Sequence, residues 1–232
     1  REGYSFATVS NAGGGGTSLS GDRIIRPLGT TEYSNANIAT GLDNNNLLFN
    51  ANVTTTLAGA NFSPNSITIE GGADITLADG VRLALQSGGI LVRNTSVSVI
   101  DGGVINQVNT SAPLNIWTIG TAQLTISSAM NGGNGVTNGA ISAVKAGAGT
   151  LILSGTNNLS GATTVSGGSL KVTGAIASSA VTVESGASLG GTGTVGALTT
   201  QSGSTVSPGN SIGTLSVNGS LILAAGSTLA IE

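Results

Sequence analysis

Apolar and polar residues alternate along this chain in runs of only about four to seven residues, each cut short by Gly, Ser, Thr or Asn. Between Lys145 and Val172 the sequence reads KAGAGTLILSGTNNLSGATTVSGGSLKV, and the same texture continues to the C-terminus. Upstream it recurs at Ile67 and Ile69, Ile75 and Leu77, then Val81, Leu83 and Leu85, with breaks at Gly71-Gly72, Asp79-Gly80, Gly88-Gly89 and Gly102-Gly103. A period of two puts successive side chains on opposite faces of a strand. No stretch combines helical spacing with caps, so an all-β chain nearly free of helix is expected.

Fixed offsets between the runs constrain the architecture further. Strand starts near Ser66, Ile90 and Leu114 follow at a constant step of 24, with two further strand-like runs in each interval, which gives three strands per rung. Later the step shortens to 17, in the rows Val181, Leu198, Leu215; Leu189, Val206, Leu223; and Val183, Thr200, Val217. A constant offset shared by three mostly apolar rows is what a stacked β-solenoid requires, because each inward row must sit on the row below. An antiparallel meander, the main competitor, does not require it. The Gly-x-x-Leu/Val motif at Gly186 to Leu189, Gly203 to Val206 and Gly226 to Leu229 has spacings of 17 and 23, which places insertions at corners.

The expected organisation is therefore one continuous solenoid. An irregular N-terminal cap covers positions 1–65, rungs of about 24 residues cover 66–144, and rungs of about 17–23 residues cover 145–232. With roughly ten rungs stacked about 4.8 Å apart, the rod would be about 50 Å long.

Composition removes several function classes. The 232 residues include 38 glycines, yet 39% are hydrophobic and only 7% are charged, the opposite of the low hydrophobicity and high charge of disordered chains. Net charge is −3 and the seven basic residues are scattered, so no basic track exists to follow a phosphate backbone and nucleic acid is excluded as a partner. There is no cysteine, hence no disulfide and no thiolate chemistry. The longest apolar run, Leu221 to Ala225, is far short of a membrane span. After Asp101 the only charged residues are Lys145, Lys171, Glu184 and Glu232, so hydroxyls, amides and backbone must solvate the C-terminal half.

Lys145, Gly147, Gly149, Thr150, Leu151, Leu153 and Gly155 fall in the order Lys-x-Gly-x-Gly-Thr-Leu-x-Leu-x-Gly. Together with the continuation GATTVSGGSLKV, the segment resembles the passenger-associated transport repeat of autotransporters, proteins that Gram-negative bacteria place on their surface. Ser207 to Leu215, SPGNSIGTL, is similar to a signature of later passenger regions, and the resemblance spans positions 45 to 232, strongest after Lys145. It implies a right-handed parallel β-helix, export through the outer membrane and a C-terminal barrel outside this chain. The pattern stops at Glu232 in mid-repeat, so the translocator is expected to follow in the full protein. Absence of cysteine suits a passenger threaded unfolded through a pore, and neighbour-only contacts would let it fold rung by rung as it emerges.

Several motifs suggest chemistry and have plainer explanations. Gly209-Asn210-Ser211-Ile212-Gly213 matches the G-x-S-x-G nucleophile elbow, but the chain has no histidine to serve as base and no helix follows. Gly191 to Gly196 matches G-x-G-x-x-G, which holds a dinucleotide only where it opens a helix; here another strand follows. Parallel β-helices include glycan-cleaving enzymes with clustered carboxylates, and Asp74, Asp79, Arg82, Arg93 and Asp101 are the best local set. Asp79 and Asp101 are separated by a step of 22 and each precedes Gly, the mark of stacked turns. Asp43 to Asn46 offers oxygen ligands without a calcium-loop pattern and reads as a polar loop. Trp117 and Tyr33 could stack on sugar rings or simply pack. Asn-x-Ser/Thr triplets at Asn52, Asn94, Asn109, Asn158 and Asn218 are common in so Ser/Thr-rich a chain.

The sequence thus leads to no catalytic, cofactor or metal site, with Arg82, Arg93 and Trp117 as binding candidates. The expected function is that of a non-catalytic fragment of a surface-displayed passenger, extracellular, acting in adhesion or self-association. Its partners would be itself, laterally or end to end, or a host, matrix or glycan surface, and it would meet a membrane only through the barrel. The alternatives are a passive stalk displaying a functional domain and a polysaccharide-cleaving β-helix.

Overall fold

The computed structural model describes residues 7–11, 23–27, 33–35, 46–49, 54–59, 61–86, 89–93, 95–108, 111–132, 140–209 and 211–231. These form an all-β solenoid of about 8 turns, and no described residue is helical. One face is a ten-stranded parallel sheet running from Tyr33–Asn35 through Asn46–Phe49, Ser66–Ile69, Gly89–Val92, Leu114–Thr118, Ala143–Ala146, Thr163–Val165, Val181–Val183 and Leu198–Thr200 to Leu221–Ile222. A second ten-stranded sheet begins at Thr54–Leu57 and ends at Thr228–Leu229.

The third face is made in two ways. Near the N-terminus the long strands Asp74–Leu85 and Val97–Gln107 leave the second face, bend, and pair again as Arg82 to Leu85 against Val104 to Gln107. The bend sets residues 78 to 81 against Gly103 alone, a bulge. Gly102 and Gly103 both take positive φ there, and a Cβ on Gly102 would collide with the Leu77 carbonyl. Ala129–Gly132 adds to the same ladder. Beyond it, isolated bridges (Asn131 to Asn158, Thr156 to Ala175) lead into the three-stranded sheet Ala175–Ile176, Thr194–Val195 and Ser216–Val217.

Alternation along each strand turns one row inward, and the parallel register stacks the rows into columns. On the second face Leu124, Leu151, Leu170, Leu189, Val206 and Leu229 follow one another rung by rung. On the first face Leu47, Ile67, Ile90 and Ile116 do the same. Except for Leu229, these side chains are almost wholly removed from solvent. Each such Leu, Ile or Val contributes about 1.5–3 kcal/mol of transfer free energy, so the columns are the main source of cohesion.

The registers correct parts of the sequence reading. Val181 does sit over Leu198, Leu189 over Val206, and Val183 over Thr200, but the next partners of Leu198 and Val206 are Leu221 and Leu229. Leu215 lies at the edge of the third face, and Val217 pairs with Val195. The corner between Pro208 and Ser216 lengthens this rung, so the step from Val181 to Leu198 is 17 and the next, from Leu198 to Leu221, is 23. The Gly186, Gly203, Gly226 motif follows the true register: all three have positive φ, and each of the first two donates its N–H to the carbonyl of the next.

Upstream, Ser66 pairs with Gly89 and Ile90 with Ile116, offsets of 23 and 26 in place of a uniform 24. The next step, from Leu114 to Ala143, is longer still at 29. Stacking also begins before the expected boundary at position 65, since Asn46–Phe49 and Thr54–Leu57 already pair with the following rung. Antiparallel pairing is confined, among the described residues, to Ala7–Asn11 with Arg23–Pro27 and a single bridge between Gly191 and Gly209.

Candidate functional site

The residues singled out from sequence do not converge. Arg93 sits at the corner leading from the first face to the second, where Nε and a terminal nitrogen donate to the two carboxylate oxygens of Glu70, each at 3.0 Å. The partners lie on adjacent rungs, and both side chains are about one-fifth exposed, 22% and 21%. Arg82 opens the third-face segment at the opposite end of the second face, and its N–H donates to Asn61 Oδ1 at 3.0 Å. Trp117 is outward on the first face, between Leu91 and Ala146, and 44% exposed.

The carboxylates are likewise dispersed. Asp74 Oδ1 accepts the N–H of Val99 at 2.7 Å, Asp79 is exposed on the bulge, and Asp101 pairs with Thr76 rather than stacking on Asp79. No group of three or more possible metal ligands occurs among the described residues. Asp43 to Asn45, Asn52, Asn94, Asn109 and the Tyr33 side chain lie outside the described residues; Asn46 accepts a bond from Ser66 Oγ at 2.8 Å. Asn158 and Asn218 are exposed. Ser211 lies on an exposed corner with no helix after it, and Gly191 to Gly196 turns a corner between strands.

The segment around Lys145 is the most elaborately built. By register its side chain belongs to the inward column between Ile116 and Val165. It is 1% exposed, and Nζ donates to the carbonyls of Ala146 (3.0 Å), Gly147 (2.9 Å) and Gly167 (2.9 Å). The ammonium has three donors and here three acceptors, so it ties the corner of its own rung to the corner of the next. Burial lowers its pKa from 10.5 to about 8, which leaves it mostly protonated at neutral pH.

The rest of the motif serves the same close stacking. Gly147 has φ +78°, and a Cβ on it would collide with the Thr118 carbonyl. A Cβ on Gly149 would meet the Ala122 carbonyl. Leu151 and Leu153 point inward while Thr150 and Ile152 face out. Gly155, Gly174 and Gly193 form a column in which a Cβ on either later glycine would strike the carbonyl of the one before. Lysine in an inward register was the available clue to the ammonium's role, and the even recurrence of these three glycines, at a step of 19, was the clue to the corner column.

A concave site lies on the outer side of the second face. It has a volume of about 230 Å³ and is lined by Ser169, Lys171, Ser188, Leu189, Gly190, Ser207, Gly209 and Ser211. Lys171, Gly190 and Ser207 are register partners on three successive rungs, so the missing side chain at Gly190 opens the notch between its neighbours. Sequence reasoning treated these positions only as strand and corner residues.

Residues 144–172 match the family model of the passenger-associated-transport-repeat, consistent with an autotransporter passenger domain. The matched segment spans the Lys145 cage and the strands Thr150–Leu153, Thr163–Val165 and Ser169–Val172. No curated protein and no solved structure matches the chain.

Proposed function

We propose that this chain is a segment of an autotransporter passenger, displayed outside the cell, that acts in adhesion or self-association and carries no catalysis. The observation that supports this most directly is the uninterrupted outer row Gln123, Thr150, Ser169, Ser188, Thr205 and Thr228 on the second face. Its members recur at the rung spacing of about 4.8 Å, so two such faces, or one face and a glycan layer, can form many weak hydrogen bonds in register. Thr164, Thr182 and Thr199 make a parallel row on the first face.

The passive-stalk reading draws on the same continuous core, which would suit a spacer. The polysaccharide-cleaving reading is disfavoured by the dispersal of Asp74, Asp79 and Asp101, since glycoside hydrolysis needs two carboxyls across a cleft. Adhesion predicts that the purified chain coats cells, glycans or matrix proteins, or sediments as an oligomer, and that neither property is lost at high salt because few ion pairs contribute. A chain that stays monomeric at high concentration and coats nothing would leave the stalk. Release of reducing sugar ends, or a covalent adduct at Ser211 with a serine-directed phosphonate, would overturn the non-catalytic reading.

A further inference from the structure

We infer that Asn218 is a site of spontaneous deamidation, where the Asn218-Gly219 pair becomes an aspartyl or isoaspartyl link. Asn218 is exposed on the third face, just past the strand Ser216–Val217. Val217 pairs with Val195 and Val195 with Ile176, so Gly196 lies between Asn218 and Ala177 in the column. With no side chain at Gly196 in the way, Asn218 Nδ2 reaches the Ala177 carbonyl at 3.4 Å. That bond is long and exposed to water, so it holds the carboxamide weakly.

The neighbouring backbone supplies the nucleophile. Glycine follows, and it has no Cβ to shield its nitrogen. Among the described residues no acceptor takes the Gly219 N–H, which is left to lose its proton to solvent. The Gly219 nitrogen attacks Asn218 Cγ; the N–Cγ bond forms, the Cγ–Nδ2 bond breaks, and Nδ2 leaves as ammonia, which accounts for the proton given up. Water then opens the cyclic imide at either carbonyl, giving aspartate or isoaspartate. Asn131-Gly132 is the contrasting pair, because it lies in a strand whose ladder with Asn106 and Gln107 would have to open before the ring could close.

The change acts on a tie between rungs. The Asn218 N–H donates to the Val195 carbonyl at 2.8 Å, and the Ser220 carbonyl accepts the Leu198 N–H at 2.8 Å. An isoaspartyl link adds a methylene to the backbone between these two anchors and so loosens both. In either product a carboxylate replaces the donor facing the Ala177 carbonyl. It also adds a negative charge to a stretch whose only charged residues after Lys171 are Glu184 and Glu232.

This goes beyond the adhesive reading and does not depend on it. The test ages the full chain at 37 °C, at pH 7 and at pH 9, and sequences by mass spectrometry the tryptic fragment that follows Lys171, whose only asparagines are Asn210 and Asn218. Expected are conversion at Asn218 that is faster at pH 9, isoaspartate in excess of aspartate, and conversion several-fold slower at Asn131. The aged, more acidic fraction, collected by anion exchange, should show roughly tenfold faster hydrogen exchange at the Leu198 amide. Asn218→Gln should form none of this fraction from the fragment. Asn218→Asp should carry the charge from the start with the Leu198 amide still protected, since it lacks the added methylene. An unconverted Asn218, conversion no faster than at Asn131, or a Leu198 amide that exchanges alike in fresh and aged chains would overturn the proposal.

Discussion

Lys145 Nζ donates to the carbonyl oxygen of Gly167 at 2.9 Å, a bond that joins two successive rungs from a side chain buried in the interior. It is a charge-assisted bond, with two further carbonyls of its own corner completing the set. Replacing Lys145 by Met keeps the apolar stem and removes the donors, leaving three carbonyls short of a partner. A loss of roughly 1–3 kcal/mol is expected, read from the midpoint of urea unfolding.

The same ammonium gives the stability a pH dependence of defined sign. In the unfolded chain Lys145 holds its proton up to about 10.5, and in the fold only to about 8. Between these values the unfolded state binds more protons, so this group makes stability rise with pH through that window. Urea midpoints at pH 7.5 and pH 10 should show the rise in the natural chain, and Lys145→Met should lack that contribution.

Leu198 and Leu215 are equivalent by simple offset and inequivalent by register, which makes a paired substitution informative. Leu198 is 1% exposed between Val181 and Leu221, and Leu198→Asp would bury an unpaired carboxylate at a cost of several kcal/mol. Leu215 is only partly buried. Leu215→Asp should cost distinctly less, on the order of 1 kcal/mol. Equal losses in thermal unfolding would refute the assigned register.

Glycine at Gly193 is required by space, whereas at Gly186 it is required only by backbone angle. A Cβ at Gly193 would overlap the Gly174 carbonyl, while one at Gly186, φ +78°, meets nothing within 4 Å. Gly193→Ala should destabilise by about 2 kcal/mol or more, and Gly186→Ala by roughly 1 kcal/mol. Chemical denaturation of the two variants side by side checks the difference.

Arg93 is occupied by Glu70 at a partly exposed corner, so Arg93→Gln should cost less than about 1 kcal/mol and the loss should shrink as salt is raised. If Arg93 served instead as a ligand contact, the variant would lose adherence with its stability unchanged.

What was legible in the sequence was what local chemistry fixes. Alternation such as Ile67 and Ile69 assigns strands because side chains on a pleated backbone must point to opposite faces, and recurring apolar rows imply stacking because each row alone cannot be buried. The motif from Lys145 to Gly155 could be read for the same reason: its glycines, its Thr and its leucines each answer to a position within one rung. Register answers to something else. Leu198 meets Leu221 and not Leu215 because the corner between Pro208 and Ser216 adds length without disturbing the alternation on either side, so no local signal marks the shift. The three carbonyls around Lys145 and the notch at Gly190 are likewise made by groups from neighbouring rungs. Arg82 and Arg93, close in sequence, stand at opposite ends of one strand face because a whole run of extended chain separates two corners. Strand identity and the solenoid class were thus determined by the sequence through nearest-neighbour sterics, and the contacts between rungs were decided only when the coils stacked.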